Sequence, residues 1–408
     1  MKKIAALFLA GIVTTSAARA NTIELLHFWT STSEKAALDV FVKEMIDDGN
    51  RMYCTSRQSE GELKSYAIAR ITDGFSPAAV QWHGGPDIEQ LTTLGITRPL
   101  ERVVGSLDEH RLLPVVQSLL QVEGGTGALP VGLHTENWAW INLDIYRQLS
   151  LSPPQDWADF LDQAVHIRDA GYRPLAIGGA AWERTLLFLT VLLDVGDVAL
   201  YRSMIDSTLT AAEHEPQLQT AFDLLIRLRD EAASADHAYT THWSDSTADV
   251  IAGKAAMHVM GDWAKGEFID ANQTPGKDFA CMPAPGNQNV MSLVLDVFVL
   301  PESESASVDA AQKTLIDTVL APANQERFAQ LKGSLPVVDS VPSDRFDQCS
   351  RLGMSILAQP DRSVPSLALA LSRDRISRIE AAVQMVWEDP TITSSEAAKN
   401  FLVQYGTL

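Results

Sequence analysis

The chain has 408 residues, 46% of them hydrophobic, with a formal net charge of −20 at pH 7. That length can bury more core than one ordinary domain holds, so two lobes are expected. The acidic balance makes nucleic acid and anionic membrane surfaces poor partners, and its plain consequence is solubility; no stretch approaches the roughly 18 uninterrupted apolar residues of a membrane span.

The first twenty residues stand apart from the fold. Lys2 and Lys3 form a basic start, residues 4–13 an apolar segment too short to span a bilayer, and Ala18-Arg19-Ala20 a small-x-small cleavage site. This is the pattern of a secretory signal peptide, with cleavage expected after Ala20. Without Lys2, Lys3 and Arg19 the chain keeps 29 basic against 52 acidic residues, a net charge of −23. No cysteine lies near the cleavage site to carry a lipid. A soluble exported protein is expected, in a Gram-negative periplasm or outside the cell. Three cysteines, Cys54, Cys281 and Cys349, allow at most one internal bridge, and Cys281 with Cys349 is the first pair to test. Their spacing matches no metal motif.

In chain order, residues 22–28 read as a strand, followed by the polar corner Trp29-Thr30-Ser31-Thr32-Ser33-Glu34 and a helix over 36–45 with Ala37, Phe41 and Met45 on one face. A helix over 63–71 and a short strand over 78–82 lead to His83-Gly84-Gly85, and Pro86 opens the next helix. Gln81, Trp82 and His83 make a second polar-aromatic corner. The segment 108–122 is amphipathic. Gly124-Gly125-Thr126-Gly127 marks a turn, lacking the Gly-Lys-Ser/Thr ending of a phosphate loop. Residues 129–143 read as strands carrying His134, Glu136, Asn137, Trp138 and Trp140, and Asp156 caps a helix over 157–170.

A strand at 175–177 runs into Gly178-Gly179-Ala180-Ala181-Trp182-Glu183-Arg184, a further corner before an apolar helix over 186–193. Helices are expected over 204–212, 217–232 and 245–252, with His242-Trp243 just before the last. The most distinctive stretch is 253–266. Residues 256–260 read as a buried strand with His258 inside it, Gly261 breaks it, and Asp262 is placed as the cap of a helix beginning at Trp263, with Lys265 facing solvent. A loop with Pro283 and Pro285 and an apolar strand over 293–300 follow. Asp296 interrupts that strand, and a carboxylate there demands a partner. The remainder reads as helical, with a glycine corner at 331–336 and a last helix over 372–387.

The corners share tryptophans, carboxylates, a lysine, histidines and amides. Flat indole faces suit the C–H faces of a pyranose, while carboxylates and amides bond its hydroxyls. Three or four charge-assisted hydrogen bonds of roughly 1.5–3 kcal/mol, with one or two stacked rings, suffice for micromolar affinity after ordering losses. Each residue also has an alternative: Trp29 and Trp263 as ordinary core, Asp296 as a structural ion pair, His83, His134 and Trp182 as packed or surface groups. Trp138, Trp140 and Trp157 read as core. Glu34, Glu136, Glu183, Asp262 and Asp296 leave a carboxylate-pair glycoside hydrolase open as the alternative function, although no Gly-x-Ser-x-Gly, His-Glu-x-x-His or calcium loop occurs. A secreted interaction module with every tryptophan in its core is a third reading.

Several stretches resemble the extracellular solute-binding proteins of sugar ABC transporters, with the nearest likeness in the glucose/mannose-binding subgroup of the maltose-binding-like family. They are Leu26-His27-Phe28-Trp29-Thr30-Ser31 with Glu34, Gln81-Trp82-His83-Gly84-Gly85, Trp157-Ala158-Asp159-Phe160, Gly253-Lys254-Ala255-Ala256 through Met260-Gly261-Asp262-Trp263, Pro283-Ala284-Pro285-Gly286 and Leu331-Lys332-Gly333-Ser334. The resemblance implies an α/β, two-lobed periplasmic-binding-protein fold of type II with three interlobe crossings, near 129–133, 292–297 and 333–337. The N-terminal lobe would comprise 21–131 and 297–334, the C-terminal lobe 132–296 and 335–408. It further implies a sugar site formed by Trp29, Glu34, Gln81, His83, His134, Trp182, Trp243, Trp263, Asp296 and Lys332, with no cofactor, no metal and no catalysis. The expected partners are a small carbohydrate and the permease subunits of an ABC importer at the inner membrane, the binding protein itself being a monomer. The chain departs from the subgroup in three places. Phe28 stands where a second tryptophan is usual, Arg57-Gln58-Ser59-Glu60-Gly61 replaces a glycine-rich turn, and Leu369 replaces a histidine, which removes a hydrogen-bond partner.

Overall fold

The computed structural model describes residues 22–232, 242–288, 290–359 and 361–406. The expected signal peptide and its cleavage site lie outside the described residues. The fold rests on two sheets. Strands β1 (Thr22–His27), β2 (Arg51–Ser56) and β3 (Ala79–His83) build the first with the later β11 (Met291–Val299) and β12 (Ser363–Pro365), in the order β12-β11-β3-β1-β2. After the small hairpin β4 (Gln121–Val122) and β5 (Gly125–Thr126), β6 (Leu129–Thr135) joins this sheet by pairing with β11. The second sheet has the order β10-β7-β9-β8, from β7 (Trp138–Asn142), β8 (Arg173–Ala176), β9 (Ala255–Met260) and β10 (Phe279–Pro283).

Parallel pairing of β1 with β2 and β3 follows from the helices that connect them, Thr32–Asp47 and Glu60–Thr72. Strands covered on both faces read as continuous apolar runs, which is why β9 and β11 are buried at every position. Two large cores result. One packs Ile23, Leu25, Trp29, Phe41, Phe298 and Phe328 against the first sheet; the other packs Trp157, Phe160, Phe188, Phe222 and Phe401 around the second. A smaller aromatic cluster of Trp138, Trp140, Phe268 and Phe279 sits beside the second sheet. Trp138, Trp140 and Trp157 are thus core, as their sequence positions suggested.

The three expected crossings lie side by side. β6 runs antiparallel to β11, pairing His134 with Val294, and Leu133 exchanges backbone hydrogen bonds with Leu335 at 3.1 and 2.7 Å. The register of β6 with β11 slips between Asp296 and Val297. Such an irregularity bends a strand and re-aims its side chains, here directly after Asp296, which stays paired with His83 and Gly132.

A disulfide joins Cys281 to Cys349, with 5.8 Å between their Cα atoms, fastening β10 to the helix Gln348–Leu357; Cys54 is a free, exposed thiol. Among the described residues no helix is long and apolar enough to cross a membrane.

Several expectations need correction. The segment read as one helix over 204–212 is broken: a helix ends at Ile205, and the next runs unbroken as Ala211–Ala232 with Pro216 in its first turns. The helix Arg373–Glu388 is followed by another, Ser394–Tyr405, opened by a Thr393–Glu396 capping box. β2 escaped notice because it is an edge strand with mostly exposed residues and no apolar alternation. Lys265 does not face solvent: it is 1% exposed, 3.1 Å from Asp347 and bonded to Ser350 Oγ.

Candidate functional site

A cavity of about 560 Å3 opens between the two sheets. Nine of the ten residues that the resemblance singled out line it: Trp29, Glu34, His83, His134, Trp182, Trp243, Trp263, Asp296 and Lys332. Gln81 does not. Its amide is fully buried behind the wall, where Oε1 accepts the Phe28 N–H at 2.9 Å and so holds the turn that presents Phe28 and Trp29.

The centre of the site is a row of alternating charges. His83 Nδ1 lies 3.1 Å from Glu60 Oε1, and His83 Nε2 lies 3.4 Å from Asp296 Oδ1. On the other side of the same carboxylate, His134 Nε2 is 3.2 Å from Oδ2, and His134 Nδ1 is 2.5 Å from Asp262 Oδ1. β3, β6 and β11 are hydrogen-bonded neighbours in one sheet, and this pairing is what brings His83, His134 and Asp296 together.

Burial alone would neutralise both histidines. It is outweighed by the Glu60 and Asp296 carboxylates at His83, which lift that ring to about 10, and by Asp262 and Asp296 at His134, which raise it as well. Burial likewise works against ionised Asp296 and Glu60, yet contact with the two rings at Asp296, and with His83 and Lys64 at Glu60, holds both carboxyls below the usual carboxylate range. The carboxylate in the apolar strand is therefore explained by two cationic partners.

Asp262 has a different role from the one its position suggested. The helix after it spans Ala264–Asp270 and receives no side-chain cap. Instead, the Asp262 carboxylate turns back to accept the Thr135 N–H at 2.8 Å and its hydroxyl at 3.0 Å, tying the end of β9 to the end of β6. The Trp263 ring folds over Gly261, where any Cβ would stand about 2.3 Å from it; the glycine break in the sequence thus makes room for the indole. His134 meets that ring edge-on at 5.6 Å, and Trp182 approaches it at 6.4 Å. Trp182 is 38% exposed, the most open of these rings.

On the first sheet's side, Glu34 opens the helix Thr32–Asp47 in a capping box with Ser31, its Oε2 accepting the N–H groups of Thr30 and Ser31 at 2.9 and 3.0 Å. Its Oε1 lies 3.4 Å from Lys332 Nζ, and that ammonium stands 5.8 Å from the ring centroids of both Trp29 and Trp263. Trp29 is almost wholly buried against Phe298 and Phe328, so little of its ring is open to a ligand. The rings of Phe28 and His83 meet edge to face at 5.3 Å.

Sequence reasoning missed part of the lining. Glu60, Lys64, Asp87, Arg373 and Glu380 also line the cavity. Lys64 is paired with both Glu60 and Asp87, and Arg373 with Glu380. The Arg57-to-Gly61 segment, noted only as a departure, contributes Gln58, Ser59, Glu60 and Gly61 to the lining because Ser59 caps the helix Glu60–Thr72 at the cavity's rim. Leu369 is buried in the core of the first sheet. Two further carboxyls line the cavity under different conditions. Burial pushes Glu136 up to about 7 against the Ser292 hydrogen bond, and pushes Glu183 up to about 8 against the Arg184 charge. Among the described residues no cluster of three or more His, Cys, Asp or Glu could hold a metal ion.

Two α/β lobes joined by adjacent crossing strands, with an aromatic and charged cavity between them, define a cleft-type solute-binding protein. The sequence pattern of the bacterial extracellular solute-binding protein family matches residues 53–348, and the chain belongs to that family. It is similar to a probable sugar-binding periplasmic protein of Rhizobium meliloti, 33% identical over 359 residues that cover 87% of this chain and 85% of the relative. Its fold is similar to that of a chitin oligosaccharide binding protein, with a TM-score of 0.78, 17% identity and coverage of 94% and 98%. It is also similar to that of a bacterial solute receptor described as having an exclusive preference for β-D-galactopyranose, with a TM-score of 0.77, 14% identity and the same coverage. The family is one of binding proteins, and the chain is not an enzyme. The hydrolase alternative falls with that assignment, and three of the five candidate carboxylates have other work: Asp296 and Asp262 hold histidines, and Glu34 holds Lys332 and a helix start.

Proposed function

We propose that this protein captures a small carbohydrate, a monosaccharide or small glycoside, in the cavity between its lobes and delivers it to the permease subunits of an ABC importer. The observation that carries the reading is the pairing of the exposed Trp182 ring and the half-buried Trp263 ring with the ion-paired His83, Asp296 and Lys332 in one cavity. The indole faces would cover the apolar side of a pyranose while the fixed charges order its hydroxyls. The names of the similar sugar-binding proteins support the same class of ligand. The cavity's cations are each paired with a carboxylate, which favours a neutral ligand over an anionic one.

The site set is Trp29, Glu34, His83, His134, Trp182, Trp243, Trp263, Asp296 and Lys332, with Gln81 as a support for the turn before Trp29. The lobe boundaries are 21–131 with 297–334 and 132–296 with 335–408, closure around the sugar being the signal to the permease. Within the sugar-binding proteins, the sequence motifs favour the glucose/mannose-binding subgroup. Phe28 in the lining, where a second tryptophan is usual, argues against plain glucose, and a derivatised hexose, another monosaccharide or a small glycoside fits as well; Leu369 is packed in the core and does not line the cavity. The mature protein acts in the periplasm as a monomer.

A thermal-shift screen over mono- and disaccharides, including amino, sulfonated and glycerol-linked forms, tests this. A ligand at one hundred times its Kd adds about 2.7 kcal/mol of stability, a clear rise in Tm. A screen in which no carbohydrate raises Tm would overturn the reading.

A further inference from the structure

Glu183 lies in the first turn of the helix Ala181–Val195, directly after the exposed Trp182, and lines the cavity. It is 2% exposed. Its carboxyl occupies the space above Gly178, where a Cβ would fall about 1.2 Å from Oε2. The carboxyl takes a hydrogen bond from the Trp243 backbone, while Oε2 has no hydrogen-bond partner among the described residues. A buried carboxyl oxygen left without a partner is destabilising, and neither the fold nor the His83–Asp296–His134 row uses it.

Resting on the carbohydrate reading, we propose that Glu183 is a specificity-determining residue whose unpartnered oxygen accepts a hydrogen bond from one hydroxyl of the bound sugar, next to the ring covered by Trp182. Gly178 is part of the same device, because only a residue without a side chain leaves room for the carboxyl in this place. The arrangement selects by penalty. A sugar lacking the matching hydroxyl leaves the buried oxygen unsatisfied, and discrimination by an unfilled polar site is far stronger than by lost apolar contact. Burial that keeps the carboxyl largely protonated near neutral pH is compatible with this role, since the protonated group still accepts through its carbonyl oxygen.

The test titrates wild type, Glu183→Gln, Glu183→Ala and Gly178→Ala by calorimetry against D-glucose, D-galactose, D-mannose and D-xylose, and against monodeoxy analogues of whichever sugar binds. The expected result is a loss of tenfold or more in Glu183→Ala and recovery to within about threefold in Glu183→Gln, whose amide oxygen also accepts. One monodeoxy analogue binds wild type at least tenfold more weakly than its parent sugar, and the difference vanishes in Glu183→Ala. Gly178→Ala repeats the loss but adds nothing to Glu183→Ala, where the space is already vacated. Unchanged affinity in a folded Glu183→Ala, or a deoxy series that responds alike in wild type and variant, overturns the assignment and leaves the carbohydrate reading intact. Wild type that binds none of these sugars or any other carbohydrate overturns the carbohydrate reading itself.

Discussion

Asp296 Oδ2 lies 3.2 Å from His134 Nε2, on a strand where every residue is buried. The same carboxylate meets His83 through its other oxygen, so one side chain organises groups from β3 and β6 at once. Removing one partner of a buried ion pair leaves the others uncompensated and costs of the order of 3–5 kcal/mol. Asp296→Ala is therefore expected to weaken sugar binding well over tenfold. Circular dichroism should show a folded protein, with its Tm lowered. Wild-type affinity in that variant would remove Asp296 from the site.

The raised ring of His83 gives a pH signature. A histidine whose folded value lies above its ordinary 6.5 contributes stability that is complete below 6.5 and is lost as pH climbs through about 10. Its carboxylate partners, held below their ordinary values, contribute above the normal carboxylate range and lose that contribution in strong acid. Comparing the urea-unfolding free energy of wild type and His83→Gln from pH 6 to 10 should show a gap that closes as pH rises. A gap that stays constant or widens would mean that His83 is neutral in the folded protein.

Trp263 combines a ring face beside Trp182 with an ammonium, Lys332, 5.8 Å from its centroid. Trp263→Ala should lower sugar affinity by more than tenfold, and Trp263→Phe by less, because the smaller ring keeps part of the stacking surface. Intrinsic fluorescence should change on sugar addition in wild type and respond far less in Trp263→Ala. Equal responses would place the ligand elsewhere.

The pattern of successes and failures along the chain has physical causes. Elements with apolar periodicity and a local cap were legible: the helix after Asp156, the strand before Gly261 and the strand containing Asp296 all stand where the residue pattern put them. Side-chain direction was not. Lys265 looked like a solvent-facing helix residue, yet it reaches Asp347 and Ser350, more than eighty positions away in sequence, and no local rule sees such a partner. Asp262 looked like a cap because it precedes a helix, whereas the Thr135 N–H competes for it across the sheet. Glu60 and Arg373 entered the site only through the meeting of segments distant in sequence. Nine of the ten positions that the resemblance to sugar-binding proteins implied line the cavity, and Gln81 shows its limit: a position can belong to a motif by supporting the turn behind the cavity wall.

The Cys281–Cys349 bridge encloses 68 residues of sequence separation and anchors β10 to the helix beneath the Trp138–Trp140 cluster. Closing a loop of that size typically contributes about 2–4 kcal/mol. Reduction, or replacement of both cysteines by serine, should lower Tm by several degrees, while sugar affinity changes little because neither cysteine lines the cavity. A large loss of affinity with unchanged Tm would show instead that the bridge shapes the site.

The most direct measurement is calorimetric titration of the purified mature chain with the carbohydrate that most raises its Tm. The account predicts one site per chain, a micromolar or tighter Kd, and a loss of well over tenfold in Trp263→Ala and in Asp296→Ala. Saturable binding that both variants retain at full affinity would contradict it, as would the absence of binding heat with every carbohydrate tried.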